Sequence, residues 1–224
     1  MVSGALVQQK INKGLGIVGS RIGFSYNWYR PGASGGVIQS ANLQGSIMAH
    51  IAPTPNLVPG PVALNKPDVY AAFDGTEVLG GDYLVGQGVT YFVGAVLPLT
   101  NVYHLIYCNE VFTISRAAEQ APGPSFYAGT EQANVILATA FPGYLKVGSR
   151  REQSELHLPG EVKMGTVTIQ LPPSLPCQLL RGDQLSTLDT IGTRWSVQGA
   201  STSTNGWTVI AAEAGVVTPI DTGA

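Results

Sequence analysis

The sequence predicts a mainly β protein, with two small barrel or meander modules, one N-terminal helix and an extended arm rich in proline and glycine. Three observations predict it. A strand-and-turn phrase occurs twice. One N-terminal run shows helical spacing. Between them lies a stretch with prolines at 53, 55, 59, 61 and 67. The first copy of the phrase is Gly81-Asp82-Tyr83-Leu84-Val85, Tyr91-Phe92-Val93 and Val102-Tyr103-His104-Leu105-Ile106-Tyr107. The second is Gly182-Asp183-Gln184-Leu185, Arg194-Trp195-Ser196-Val197 and Gly206-Trp207-Thr208-Val209-Ile210-Ala211. Ten residues separate Val93 from Tyr103, and ten separate Val197 from Trp207. Gly and Asp supply turn geometry, while Val, Ile, Tyr and Trp suit a pleated, half-buried surface.

Residues 3–22 are the predicted helix. Ser3 stands as its cap, Leu6, Ile11, Leu15, Val18 and Ile22 recur near helical spacing, and Gln8, Gln9, Asn12 and Lys13 take the other side. Gly14, Gly16 and Gly19 each weaken it by up to about 1 kcal/mol relative to Ala. Such a helix needs a neighbour, and its glycines admit close approach of another backbone. Residues 23–67 read as the arm, either laid over a neighbouring surface or folded into short edge strands at Val37-Ile38 and Ser46–Ala49. With the helix they form a first region, 1–67. Residues 68–131 form the first β module, closing on the alternating strand Glu110–Arg116 and a second Pro/Gly loop. Residues 132–224 form the second module. In it Val135–Ala140 suits either strand or short helix, Val162–Leu171 alternates, and the tail from Thr218 frays.

At 224 residues the chain is long enough for one large or two small cored domains. Charged residues make up 12%, about half the usual share. Its surface is therefore largely uncharged, which suits burial against a partner better than solitary life in solution. Net charge is −2 with no basic stripe, which disfavours phosphate-backbone binding. Arg150-Arg151 beside Lys146 reads as a solvated loop. Two cysteines, Cys108 and Cys177, make no disulfide framework, so a reducing cytosol suffices for folding. No apolar run reaches a membrane span, and Met1–Gly4 lacks the basic and apolar regions of a signal peptide.

Candidate chemistry is sparse. His50, His104 and His157 stand alone, with no metal spacing and no CxxC. No cofactor fingerprint is present, because no helical pattern follows Gly80-Gly81 or Gly86-Gln87-Gly88. His104 and Cys108 lie about 13 Å apart along a strand, too far for a base and its nucleophile. Asp68, Asp74, Asp82, Asp183 and Asp189 fall at turn positions, where the carboxylate satisfies local N–H groups. Arg181-Gly182-Asp183 spells an integrin-type triplet that the repeat's turn already explains. Tyr26, Trp28 and Tyr29, ahead of Arg30-Pro31, suit a sugar-stacking platform or the aromatic anchor of a subunit contact, and their place between helix and arm favours the contact. The subunit-contact candidates are Leu6, Ile11, Leu15, Val18, Tyr26, Trp28, Tyr29 and Arg30.

The phrases Gly4–Gly14 running to Tyr29-Arg30-Pro31, Lys66–Asp74, Gly81–Val85, Thr90–Val93 and Cys108–Val111 resemble a group of tailed-bacteriophage and prophage structural proteins. The Gly182-Asp183 and Gly206–Val209 ending is similar to the small β-barrel subunits of head–tail joining rings. Arg194-Trp195-Ser196-Val197 stands where that pattern has Tyr-x-Val, and the loop from Gly199 to Gly206 is longer. The resemblance implies a non-enzymatic virion subunit that forms a ring or collar at the neck or tail. Its implied partners are copies of itself and portal, adaptor or tail proteins. DNA would pass without specific binding, assembly would occur in the host cytoplasm, and no membrane, cofactor or metal would be involved. A receptor- or carbohydrate-binding tail module using Tyr26, Trp28, Trp195 or Trp207 is the rival reading. A hydrolase, marked by an Asp and a His within hydrogen-bond reach in one pocket, is the third.

Overall fold

The structure, a computed structural model, describes residues 4–32, 35–58, 66–94, 102–117, 134–147, 166–187 and 192–216. Helix α1 (Gly4–Ile22) leads into six strands, β1 (Phe24–Tyr29), β2 (Leu43–Ala52), β3 (Asp68–Ala72), β4 (Tyr83–Gly86), β5 (Val89–Val93) and β6 (Tyr103–Cys108). Six more follow: β7 (Glu110–Ala117), β8 (Asn134–Val147), β9 (Thr166–Leu171), β10 (Gln184–Thr187), β11 (Thr193–Ser203) and β12 (Gly206–Val216). Each set of six closes into an antiparallel barrel. The ring order is β1-β2-β3-β6-β5-β4 in the first and β7-β8-β9-β12-β11-β10 in the second, the same path walked twice. The predicted class holds: mainly β, barrel modules, one N-terminal helix.

Alternation along each strand decides what faces inward. In the first barrel Tyr26, Trp28, Ala49, Val69, Ala71, Leu84, Val93 and Leu105 form one buried cluster. In the second, Phe112, Ile114, Phe141, Val167, Ile169, Leu185, Val197 and Val209 do the same. Closure gives every strand a paired neighbour on both sides over at least part of its length.

The first barrel also buries an outer face. Tyr83, Phe92, Ile106 and Cys108 point the other way from Leu84, Val93 and Leu105, and join the second barrel's core cluster. The Tyr83 hydroxyl donates to the carbonyl of Pro142 at 2.8 Å, and Ser174 donates to the carbonyl of Gly81 at 2.8 Å. Asn109, alone between β6 and β7, donates through Nδ2 to Leu145 O and accepts from Leu145 N, at 2.9 and 2.7 Å. Each fully buried large side chain at this seam contributes about 1.5–3 kcal/mol, so the barrels are joined by a hydrophobic contact as well as by one residue of chain.

Several expectations are corrected. Phe24–Tyr29, placed in the arm, is a strand of the first barrel; of the two short strands offered there, Ser46–Ala49 lies within β2 (Leu43–Ala52), while Val37-Ile38 forms no strand. The prolines that suggested an arm fall after Ala52, and an alternating run of six residues suffices for a barrel strand. Glu110–Arg116, placed at the close of the first module, lies in β7 and opens the second barrel. Val135–Ala140 is strand. The repeat holds, but its last aromatic pair is offset. Val93 pairs with Leu105 while Val197 pairs with Ala211. Tyr103 therefore corresponds to Val209 and not to Trp207. Leu105 follows Val93 by 12 residues and Ala211 follows Val197 by 14, so the second hairpin is longer by two residues. The tail from Thr218, Arg150-Arg151, His157 and Asp189 lie outside the described residues.

Candidate subunit-contact surface

Each Gly-Asp turn is built as a lock. Gly81 and Gly182 take φ of +90° and +93°, the left-handed region that glycine enters without penalty. The following Asp donates its N–H to the carbonyl three residues back, Leu79 or Leu180, and its carboxylate accepts the N–H of that same residue. An arginine from the barrel's first strand or just beyond it then grips the carboxylate through two nitrogens. Arg30 donates to Asp82 at 3.0 and 2.8 Å, and Arg116 to Asp183 at 2.6 and 2.9 Å. The same Nη2 of each guanidinium also donates to a carbonyl, Glu77 or Gln178. Asp82 alone gains a third kind of donor, the indole N–H of Trp28 at 2.9 Å, and the Arg30 guanidinium lies 5.3 Å from that ring's centroid. The hydrogen bond to Asp82 holds Arg30 protonated above its ordinary range. With side-chain exposures of 2% and 1%, both carboxylates are walled in. The Arg181-Gly182-Asp183 triplet therefore has no carboxylate to offer a receptor.

The eight candidate contact residues separate into three groups. Tyr26 and Trp28 point into the first barrel and are buried there, a correction to their reading as anchors. The alternation Phe24, Tyr26, Trp28 carried that signal. Arg30 closes the lock, and Tyr29 packs against the seam cluster. Ile11, Leu15 and Val18 are half-buried, with Leu15 on the first barrel's core, while Leu6 is exposed. The rival stacking platform loses Trp28 to the core. Trp195 and Trp207 are half-buried against the second barrel's cluster.

The helix docks along β2 and β3 as its glycines suggested. A Cβ at Gly19 would collide with the carbonyls of Met48 and Ala72, and one at Gly23 with Ala49. Asn12, buried at this contact, accepts from the Tyr103 hydroxyl at 2.8 Å and from Gln8 at 2.9 Å. The side of α1 away from the barrel stays in solvent and carries Leu6, Val7 and Ile17, and at the helix end Ile22 and the nearby Phe24 of β1 are 58% and 60% exposed. Lys10, Lys13 and Arg21 share that side. Sequence spacing found the apolar line Leu6–Ile11–Leu15–Val18 but not which side the barrel would take.

Among the described residues there is one acid–imidazole pair. His104 Nε2 donates to Asp68 Oδ1 at 2.8 Å on neighbouring strands, with the Tyr70 ring beside it. The other ring nitrogen is buried with no hydrogen-bond partner among the described residues, so no nucleophile is engaged. An open hollow of about 340 Å³ at the seam, lined by Thr90, Cys108 and Asn109 among others, includes neither member of the pair. Burial raises the Cys108 thiol far above its ordinary range and keeps it inert. Among the described residues no group of His, Cys, Asp and Glu could hold a metal, and no helix is long and apolar enough to cross a membrane. Comparison with protein-family models, with curated proteins and with solved structures finds no match.

Proposed function

We propose that the chain is a non-enzymatic structural subunit of a tailed-phage particle, assembling with copies of itself into a ring or collar at the neck or tail. The observation that carries the self-assembly is the set of apolar side chains that the helix leaves in solvent, Leu6, Val7, Ile17 and Ile22, on a chain with only 12% charged residues. Monomers seldom expose such a set unless something covers it. The two barrels, fused by a buried seam and internally locked, supply a rigid body for such an assembly. The placement in a phage particle rests on the sequence resemblance, as do the implied portal, adaptor or tail neighbours and the passage of DNA. Mass photometry and negative-stain images of the purified chain test the assembly: discrete closed particles of several copies are expected. A monomer at micromolar concentration that binds glycans would replace this reading with the receptor-binding one.

A further inference from the structure

The two barrels correspond strand for strand, and the correspondence extends to what precedes each of them. Phe24 pairs with Ala49 and Tyr26 with Ile47 in the first, as Glu110 pairs with Gly143 and Phe112 with Phe141 in the second. On the other side of β2, Ile51 pairs with Ala71, as Leu145 pairs with Ile169 beside β8. Met48 thus corresponds to Pro142, and Gly23, which enters the first barrel, to Asn109, which enters the second. The Pro142 carbonyl receives the Tyr83 hydroxyl of the preceding barrel. The Met48 carbonyl lies against Gly19 of α1. The helix occupies on the first barrel the position that the first barrel occupies on the second. It stands in for a preceding barrel.

The other end of the chain is closed differently. The first barrel reaches the second through Tyr83, Phe92 and Ile106. By the same ladder registers their counterparts on the second barrel are Gln184, Ser196 and Ala212. Small and polar groups there do not repeat the aromatic surface by which the first barrel grips its neighbour. The outer side of α1 is therefore the more distinctive surface for contact between copies.

That side has a particular chemistry. Leu6, Lys10, Lys13, Ile17 and Arg21 follow one another at four-, three-, four- and four-residue steps, one line along a helix, and all are exposed. Gly4–Ile22 holds no acid, so the helix carries +3. The remainder of the chain has 12 − 3 = 9 basic residues against 14 acidic, a charge of −5. Helices that lie on bilayers segregate apolar and basic faces. Here lysines and apolar residues alternate along a single line, which suits a mixed protein surface. We propose that the outer face of α1 docks onto an acid-bearing surface of a second copy of this chain. The helix meets the body of the other copy and not its helix, because helix against helix would set +3 against +3. This docking rests on the self-assembly reading above and narrows it to one face.

The test compares the full-length chain with Lys13→Glu/Ile17→Glu, two exposed positions, by mass photometry, with circular dichroism as the check on folding. The wild type is expected to assemble, and the variant to associate at least tenfold more weakly while melting as the wild type does. Should the variant misfold, Lys10→Ala/Lys13→Ala, which keeps the apolar line and favours helix, is expected to weaken assembly in the same direction. Added salt is expected to weaken wild-type assembly as well. A wild type that assembles and a folded variant that assembles equally well would overturn the docking face and leave self-assembly standing. A wild type that stays monomeric overturns both. A monomeric wild type that floats with phosphatidylserine vesicles while the variant does not would assign the helix to a bilayer instead.

Discussion

The two barrels share a path and a lock and differ in what their outer faces are for. Both close six strands in one ring order, and both fix the turn before the fourth strand with a buried Asp held by an arginine. The first turns three large apolar side chains outward through β4, β5 and β6 and buries them on its neighbour, where the second shows Gln184, Ser196 and Ala212. The first ties its lock with an additional indole. Barrel formation thus depends on the inward alternation and the lock, while association depends on the other half of the same alternation. Period two lets these two demands vary independently.

The largest test of this comparison removes the locks. Asp82→Ala unpairs the guanidinium, the Trp28 N–H and the Leu79 N–H, whereas Asp183→Ala unpairs one donor fewer. Each guanidinium is 36% exposed and can turn to water, so the cost is mainly the unpaired Leu79 or Leu180 N–H, about 1–3 kcal/mol, and the stranded indole adds about 1 kcal/mol at Asp82. Urea denaturation is expected to rank Asp82→Ala below Asp183→Ala, with both well below wild type. Equal losses would show that the indole bond contributes nothing and that the locks are equivalent.

Next comes the correspondence between α1 and a barrel. Gly19→Ala puts a methyl into the carbonyls of Met48 and Ala72, and overpacking of this kind costs about 1–3 kcal/mol. Amide exchange is expected to speed up in α1 while β7–β12 keep wild-type protection. Tyr83→Phe does the converse at the barrel seam, leaving the Pro142 carbonyl unpaired for about 1–2 kcal/mol. Loss of protection confined to the second barrel in Gly19→Ala would separate the two contacts.

Alkaline pH also divides the barrels. Burial pushes the Tyr103 and Tyr91 hydroxyls of the first barrel up to about 12 from an ordinary 10. The fold holds them neutral, so their contribution is fully present below pH 10 and is lost as pH rises from 10 through 12. In the second barrel the inward Phe112, Ile114, Val167 and Ile169 carry no titratable group, and Tyr144 on β8 is likewise raised above its ordinary range by burial. Melting temperature is expected to fall above pH 10, with protection lost first in β1–β6. Tyr103→Phe keeps the stack on Phe73 at 4.3 Å, loses the bond to Asn12, and is expected to lessen that alkaline fall. An unchanged pH slope would remove Tyr103 from the account.

Much of this fold was readable in the sequence, because turn chemistry is local. Gly81-Asp82 and Gly182-Asp183 announced the two locked turns, and the spacing of Leu6, Ile11, Leu15 and Val18 announced the helix. What escaped depends on partners distant in the chain. Nothing near Arg30 names Asp82, 52 residues on, as its acceptor. Strands β1 and β2 hid in an apparent arm because Gly32, Gly35, Gly36 and Gly45 crowd between short alternating runs. The correspondence of Tyr103 with Val209 could not be counted from spacing, since the greater length of the β11–β12 hairpin appears only in the ladder. The candidate surface was half legible: the spacing found an apolar helix, but closure of the barrel decided which side of it remains outside and drew Tyr26 and Trp28 in.

The smallest expected effect bears hardest on the idea of a capped pair. Gln184→Tyr with Ser196→Phe restores on the second barrel two of the aromatic groups by which the first barrel grips its neighbour. Both sites are half-buried strand positions at which aromatic residues suit the pleat, so stability should move by no more than about 0.5 kcal/mol. A sticky donor face by itself makes no new contact if every matching acceptor is covered, and α1 covers the acceptor on β2. The mass distribution is therefore expected to match wild type. A shift toward long open chains would mean that the acceptor stands free in solution, that α1 leaves it readily, and that the helix is a removable plug and not the fixed stand-in for a barrel.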